Sequence, residues 1–219
     1  MEITTVIELI GIAAFAIAGV FVGIEYELDV FGILVVAFCS ALAGGVMRDL
    51  TVGRVPPTCF THPEYIITVV IAVLVSLVVF KILDKKLTKN SVRTMRRIVD
   101  ILDAIGLGVF TVSGCKIAIE HGYGDNFVLM VFVGTISAIG GGVIRDLLAG
   151  RKPIVMRKEV YALAAITGSV IYYFLQGRVN DNIALYASAG FITVFRIIAS
   201  WSRINLAYTL KNENMKKDE

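Results

Sequence analysis

The stretch Gly44-Gly45-Val46-Met47-Arg48-Asp49-Leu50, continuing to Gly53-Arg54-Val55-Pro56, returns as Gly141-Gly142-Val143-Ile144-Arg145-Asp146-Leu147 with Gly150-Arg151-Lys152-Pro153. The copies lie 97 residues apart, and the shared pattern is G-G-x-x-R-D-L-x-x-G-R-x-P. Such a pattern, met twice in one chain, marks a repeated structural unit. The match extends upstream. Gly11, Phe15 and Gly19 correspond to Gly106, Phe110 and Gly114 at an offset of 95, and Glu8 corresponds to Asp103. The slip of two residues between the blocks fits a longer loop in the second copy.

The surroundings of these motifs are apolar. Of 219 residues, 57% are hydrophobic and 18% charged, with a mean hydropathy of +0.78. A soluble domain has about 45–50% apolar and about 25% charged residues. The composition therefore calls for a bilayer and excludes disordered, collagenous and disulfide-framework classes. Cys39, Cys59 and Cys115 have no metal-ligand spacing and read as small buried hydrophobes. With only His62 and His121 beside them, no metal site or cofactor is expected. The first apolar run lacks a basic start and carries Glu8, so it reads as a mature membrane helix rather than a signal peptide.

Seven apolar spans can be drawn, at 3–24, 30–50, 65–83, 98–118, 127–149, 160–175 and 183–200. Lys and Arg crowd into 81–97, 145–159 and the tail after Trp201, whereas 119–126 is acidic. The positive-inside rule puts the basic segments and the C-terminus in the cytoplasm, and the N-terminus outside. Acidic 25–29 lies inside without Lys or Arg, which the rule tolerates because acids weigh little in it. Each repeat holds three spans. An odd number forces opposite topologies, with a pseudo-two-fold axis in the membrane plane. The expected fold is an all-α membrane protein of seven transmembrane helices, built from two inverted three-helix repeats plus a seventh helix. The divisions are 1–90, 91–178, and 179–219 for the last helix and cytoplasmic tail.

Gly44-Gly45 and Gly140-Gly141-Gly142 fall late in spans two and five. Clustered glycine predicts a kink or break whose freed carbonyls face a watery cavity and suit cations. The same glycines also form small-xxx-small patterns with Ala41 and Ser137, which allow close helix packing. Arg48-Asp49 and Arg145-Asp146 follow three residues on. Neighbouring residues do not face each other on a helix, so each pair is expected to bond across the bundle, one repeat to the other. Glu8 and Asp103 are candidates for a polar lining, because ionisable groups inside a membrane usually face an interior or a pathway. Lys116 is near a span end and can snorkel. Arg196 either sits at the cytoplasmic interface or pairs with an acid inside the bundle.

The glycine–Arg-Asp motifs, the Gly-Arg-x-Pro that follows, and Arg157-Lys158-Glu159-Val160-Tyr161 resemble the prokaryotic branch of the trimeric intracellular cation (TRIC) channel family. Lys158-Glu159-Val160 matches that family's KEV motif, and the repeat is also classed as a glycine-transporter domain. The resemblance implies a homotrimer in a bacterial or archaeal cell membrane. Each protomer would carry its own pore, passing K⁺ and less selectively Na⁺. It carries over Gly44, Gly45, Gly140, Gly141 and Gly142 as kinks, with Arg48, Asp49, Arg145, Asp146, Lys158 and Glu159 as polar groups of the pore or gate. Ala43 stands where the second repeat has Gly140, and His62-Pro63-Glu64 replaces the KEV block in the first half.

A secondary transporter of a small solute such as glycine uses the same inverted repeats. An intramembrane protease is suggested by Gly122-Tyr123-Gly124-Asp125, but these residues read as a turn in an outer loop, so no enzyme is expected. Basic clusters at 81–97 and 151–158 make membrane lipids a natural partner and nucleic acid none.

Overall fold

The computed structural model describes residues 3–83, 89–157 and 159–201. The described residues are almost entirely helical. Helices α1 (Ile3–Glu25), α2 (Val30–Thr51), a single turn α3 (Thr58–Thr61), α4 (Pro63–Leu83), α5 (Lys89–Ala118), α6 (Phe127–Leu148), α7 (Glu159–Leu175) and α8 (Asp181–Trp201) follow in order. Six of them, all but α3 and α7, are long and apolar enough to cross a membrane, and α7 is a shorter apolar seventh. At 17 residues α7 is about 25 Å long, enough to cross the hydrocarbon with little tilt. The expected spans match the helices closely. The exception is α5, which begins at Lys89 rather than near 98, because its first turns are polar but helix-compatible and carry the chain up to the bilayer.

The motif residues divide the work of building the helix ends. Asp29 caps α2 by accepting from the Gly32 amide at 2.7 Å, and Asn126 caps α6 from the Leu129 amide at 3.1 Å. The two caps are at equivalent repeat positions, which explains why 25–29 carries acid. At the other end Gly53 and Gly150 have φ of 81° and 70°. Each is the left-handed residue that closes its helix, letting the Arg54 amide return to the Asp49 carbonyl and the Arg151 amide to the Asp146 carbonyl. The third glycine of the motif is thus a helix terminator.

The expected breaks at the first glycines are absent. Helices α2 and α6 run without interruption through Gly44-Gly45 and Gly140-Gly141-Gly142. At every one of these positions but Gly45 the small residue serves contact. A Cβ on Gly44 would overlap the Ser137 carbonyl, and one on Gly141 would overlap the Ser40 carbonyl. Residue 40 meets 141 and 44 meets 137, so the contacts run in opposite senses along the two helices. Beside this crossing Phe15 of α1 stacks on its counterpart Phe110 of α5, with ring centroids 5.4 Å apart and planes 8° from parallel. Gly106 faces Phe15, and Gly11 faces Val109 and Phe110. These four helices form the centre. Helix α4 turns Ile67, Ile71, Leu74 and Val78 outward, a face suited to lipid. Helix α8 packs on α5 and α7.

Candidate functional site: two buried ion clusters

Each copy of the Arg-Asp pair is the centre of a cluster sealed in protein. In the first, Arg48 donates from Nε to Asp49 at 2.8 Å, and from Nη1 to Glu8 and to Ser113 Oγ, the latter at 2.8 Å. Tyr65 and Ser113 also donate to Glu8. The outer oxygen of Asp49 accepts from the amide and the hydroxyl of Thr58, both at 2.7 Å, and so ties α3 to α2. In the second cluster Arg145 binds Asp103 with both terminal nitrogens and donates from Nε to Asp146 at 2.9 Å. Asp146 accepts further from Arg151 at 2.6 Å and from the Ile154 amide at 2.9 Å. Arg48 is 2% exposed and Arg145 0%, so neither reaches for headgroups.

Two expectations change here. Neighbouring Arg and Asp do bond to each other, because near the end of a helix the long arginine stem can fold sideways onto the next residue. The main carboxylate partner also comes from the same repeat: Glu8 for Arg48, Asp103 for Arg145. Among the described residues, Ser113 is the group through which Arg48 reaches the other half. Lys158 and the side chain of Glu159 lie outside the described residues. Arg196 is buried rather than at an interface, and no ion pair joins it to an acid among the described residues. It is 1% exposed, with its guanidinium 5.0 Å over the Tyr161 ring. Tyr65 and Tyr161, both cluster residues, were not singled out from sequence. Aligning His62-Pro63-Glu64-Tyr65 with Lys158-Glu159-Val160-Tyr161 would have found them.

Two cavities approach the clusters from opposite ends of α1 and α5. The first, about 400 Å³, is lined by Thr4, Thr5, Glu8, Thr58, Tyr65 and Glu120 among others. Lys116 stands at its rim, 3.9 Å from Glu120. A crevice of about 10 Å³ continues inward from Glu8 past Gly45 and Arg48 to Phe110. Gly45 differs from Gly44 in this respect, since a Cβ there would meet only Arg48 Nη2, at 3.9 Å. The second cavity, about 360 Å³, is lined by Glu25, Arg96, Asp100, Arg151, Ile154 and Arg157 among others. Arg96 is paired with Glu25 at 2.7 Å, and Arg151 lies 5.7 Å over the Tyr26 ring. Each cavity therefore touches groups of one cluster: Glu8 and Thr58 for the first, Arg151 and Ile154 for the second.

Comparison with known proteins gives this arrangement a family. The family described as glycine transporter matches the chain twice, over residues 5–81 and 100–177. A structure described as the basis for conductance through TRIC cation channels superimposes with a TM-score of 0.76 at 34% identity, covering 93% of this chain and 95% of that one. The chain belongs to the prokaryotic TRIC family. The TRIC trimeric intracellular cation channel orthologue from Rhodobacter sphaeroides is similar at a TM-score of 0.81 and 26% identity, covering 92% of this chain and all of that one. The UPF0126 membrane protein YvgT of Bacillus subtilis (strain 168) is 31% identical over 209 residues, 94% of this chain and 98% of the relative. This TRIC member is a multi-pass membrane protein and not an enzyme. Its Gly122-Tyr123-Gly124-Asp125 stretch closes a single π turn (Ile119–Tyr123), with Gly122 at φ 83° and Asp125 exposed to the outside of the fold.

Proposed function

We propose that this protein is a cation channel that passes K⁺, and Na⁺ less selectively, through one path in each protomer of a homotrimer. The observation that carries the reading is the pair of polar cavities entering from opposite ends, the first lined by Glu8 of one buried cluster and the second by Arg151, which pairs with Asp146 of the other. The TRIC relatives described as cation channels, one of them as trimeric, support it. The antiparallel contacts of Ser40, Gly44, Ser137 and Gly141 support two inverted repeats, 1–90 and 91–178, with 179–219 as an added helix and tail. The first cavity then opens outside and the second to the cytoplasm, with the N-terminus outside and the C-terminus inside. The basic segments meet anionic lipid headgroups on the inner face.

In this reading a cation shed of part of its water meets Glu8 and the oxygens of Thr5 and Thr58 in the outer cavity, while Lys116 holds the Thr4 hydroxyl. Carboxylate, hydroxyl and carbonyl oxygens suit a hard monovalent ion. Arg48 and Arg145 each bond two carboxylates, which favours the ionised form of the acids inside the protein. The centre is closed: the Phe15–Phe110 stack and the α2–α6 crossing fill it. Opening means parting those contacts and swinging the guanidiniums aside, while Gly45, free of tight contact, borders the crevice that would widen. Charged groups in the bundle are expected at such a path, because each is costly in lipid unless it lines or holds a pathway.

Flux into liposomes carrying the purified protein tests the reading, with K⁺ and labelled glycine compared under matched gradients. Fast, non-saturating K⁺ entry without glycine movement is expected. Saturable glycine uptake without K⁺ conductance would overturn it.

A further inference from the structure

Helix α8 lies beyond the second family match, which ends at residue 177, yet it adds a charge to the second cluster. Arg196 is buried, and its Nε and Nη2 have no hydrogen-bond partner; nor has the hydroxyl of Tyr161, over whose ring it lies. The ring face is what holds the cation there. Tyr161 in turn faces Gly142, where a Cβ would stand 2.9 Å from the hydroxyl and 3.8 Å from Arg145 Nη2. Arg196 is thus one aromatic ring away from the Arg145–Asp103 pair. Among the described residues of the first half no arginine lies over the equivalent Tyr65, whose hydroxyl bonds to Glu8.

The charge balance of the two clusters differs as a result. Arg48 faces two carboxylates, Glu8 and Asp49, which leaves the first cluster one negative charge in excess. Among the described residues, the groups bonded in the second, Arg145, Arg151, Asp103 and Asp146, balance one another, and Arg196 beyond the Tyr161 ring adds one positive charge beside them. Surface charge is screened by salt, but a charge sealed in protein acts through a low dielectric and is screened far less.

We propose that Arg196 sets the main electrostatic barrier to cations, at the second cluster, so that the seventh helix limits the K⁺ conductance of the path formed by the two repeats. The inference rests on the channel reading above. A cation moving inward passes from a site with spare negative charge to one with spare positive charge, and the second is the slow step.

Single-channel recording in planar bilayers tests it, with folding checked by gel filtration and thermal unfolding. Arg196→Gln removes the charge and keeps hydrogen-bonding capacity. It is expected to raise unitary K⁺ conductance about tenfold, the effect of a unit charge several ångströms away at intermediate dielectric. The gain persists in 1 M KCl, where screening acts within about 3 Å. Arg196→Lys keeps the charge and stays near wild type. Arg157→Gln, at the exposed mouth of the second cavity, gives a change that disappears at high salt. If Arg196→Gln does not fold, Arg196→Met supplies the same loss of charge. Unchanged conductance in the neutral variants, a gain lost in 1 M KCl, or a Lys variant that behaves like Gln overturns the inference alone. Wild-type protein that carries no K⁺ current overturns the channel reading and this inference with it.

Discussion

A guanidinium with no access to water is costly unless the protein supplies a counter-charge or an aromatic face. For Arg145 that means Asp103 and Asp146, and removing the arginine leaves both carboxylates buried. Arg145→Met is expected to cost about 3–5 kcal/mol, read as a fall in the thermal unfolding midpoint in detergent, whereas removing Asp103 with it as Arg145→Met/Asp103→Leu recovers much of the loss. The glycines separate at the same scale. In a plain helix Gly→Ala gains about 1 kcal/mol. At Gly44 the overlap with the Ser137 carbonyl reverses the sign, and Gly44→Ala is expected to destabilise by about 1–3 kcal/mol. Gly45→Ala should instead leave unfolding nearly unchanged and reduce K⁺ flux, because Gly45 borders the crevice and an added Cβ meets only Arg48 Nη2. Equal loss of fold and flux at Gly45 would count against that role. Glu8, Asp103 and both Arg-Asp pairs were legible in sequence because charge inside an apolar run is conspicuous. Which of two adjacent glycines packs and which opens was not, since that depends on where a neighbouring backbone carbonyl lies.

Among the elements, the spans were the easiest to read, because a run of apolar residues bounded by charge has few other interpretations. The helix ends were legible only in part. Gly53 and Gly150 stood in the repeated motif, but their positive φ follows from the chain's turn, which composition does not reveal. The docking of α8 was not readable at all. It depends on Gly108, where a Cβ would come within 2.6 Å of the Ala189 carbonyl. Gly108→Ala is expected to loosen α8 from α5 and lower the unfolding midpoint. Gly190→Ala, with nothing within 4 Å, should be neutral or gain about 1 kcal/mol.

The whole molecule is tested by its topology. A membrane-impermeant maleimide applied to intact cells should label Asp125→Cys and Phe60→Cys and spare Glu27→Cys until the membrane is opened. Native background is low: Cys39 lies within the α2 span, Cys115 is fully buried, and burial together with the nearby Asp49 charge pushes the Cys59 thiol up, away from its reactive thiolate form. The opposite labelling pattern would invert the assignment of both cavities. The two-fold repeat could be read from residue spacing alone, whereas the unequal charge of its halves could not, because it comes from a helix outside the repeat.

The stack of Phe15 on Phe110 joins a residue to its own duplicate. Had the unit been encoded once and paired with an upside-down copy of itself, a single codon would have specified both rings, and every change at that position would have been felt twice. Fusing the copies into one gene releases that constraint. Glutamate in one half and aspartate in the other, or a bridging tyrosine here and an arginine-capped one there, are differences that a self-paired ancestor could not have encoded. The joined chain can keep matched rings where its halves meet and still evolve two unlike ends.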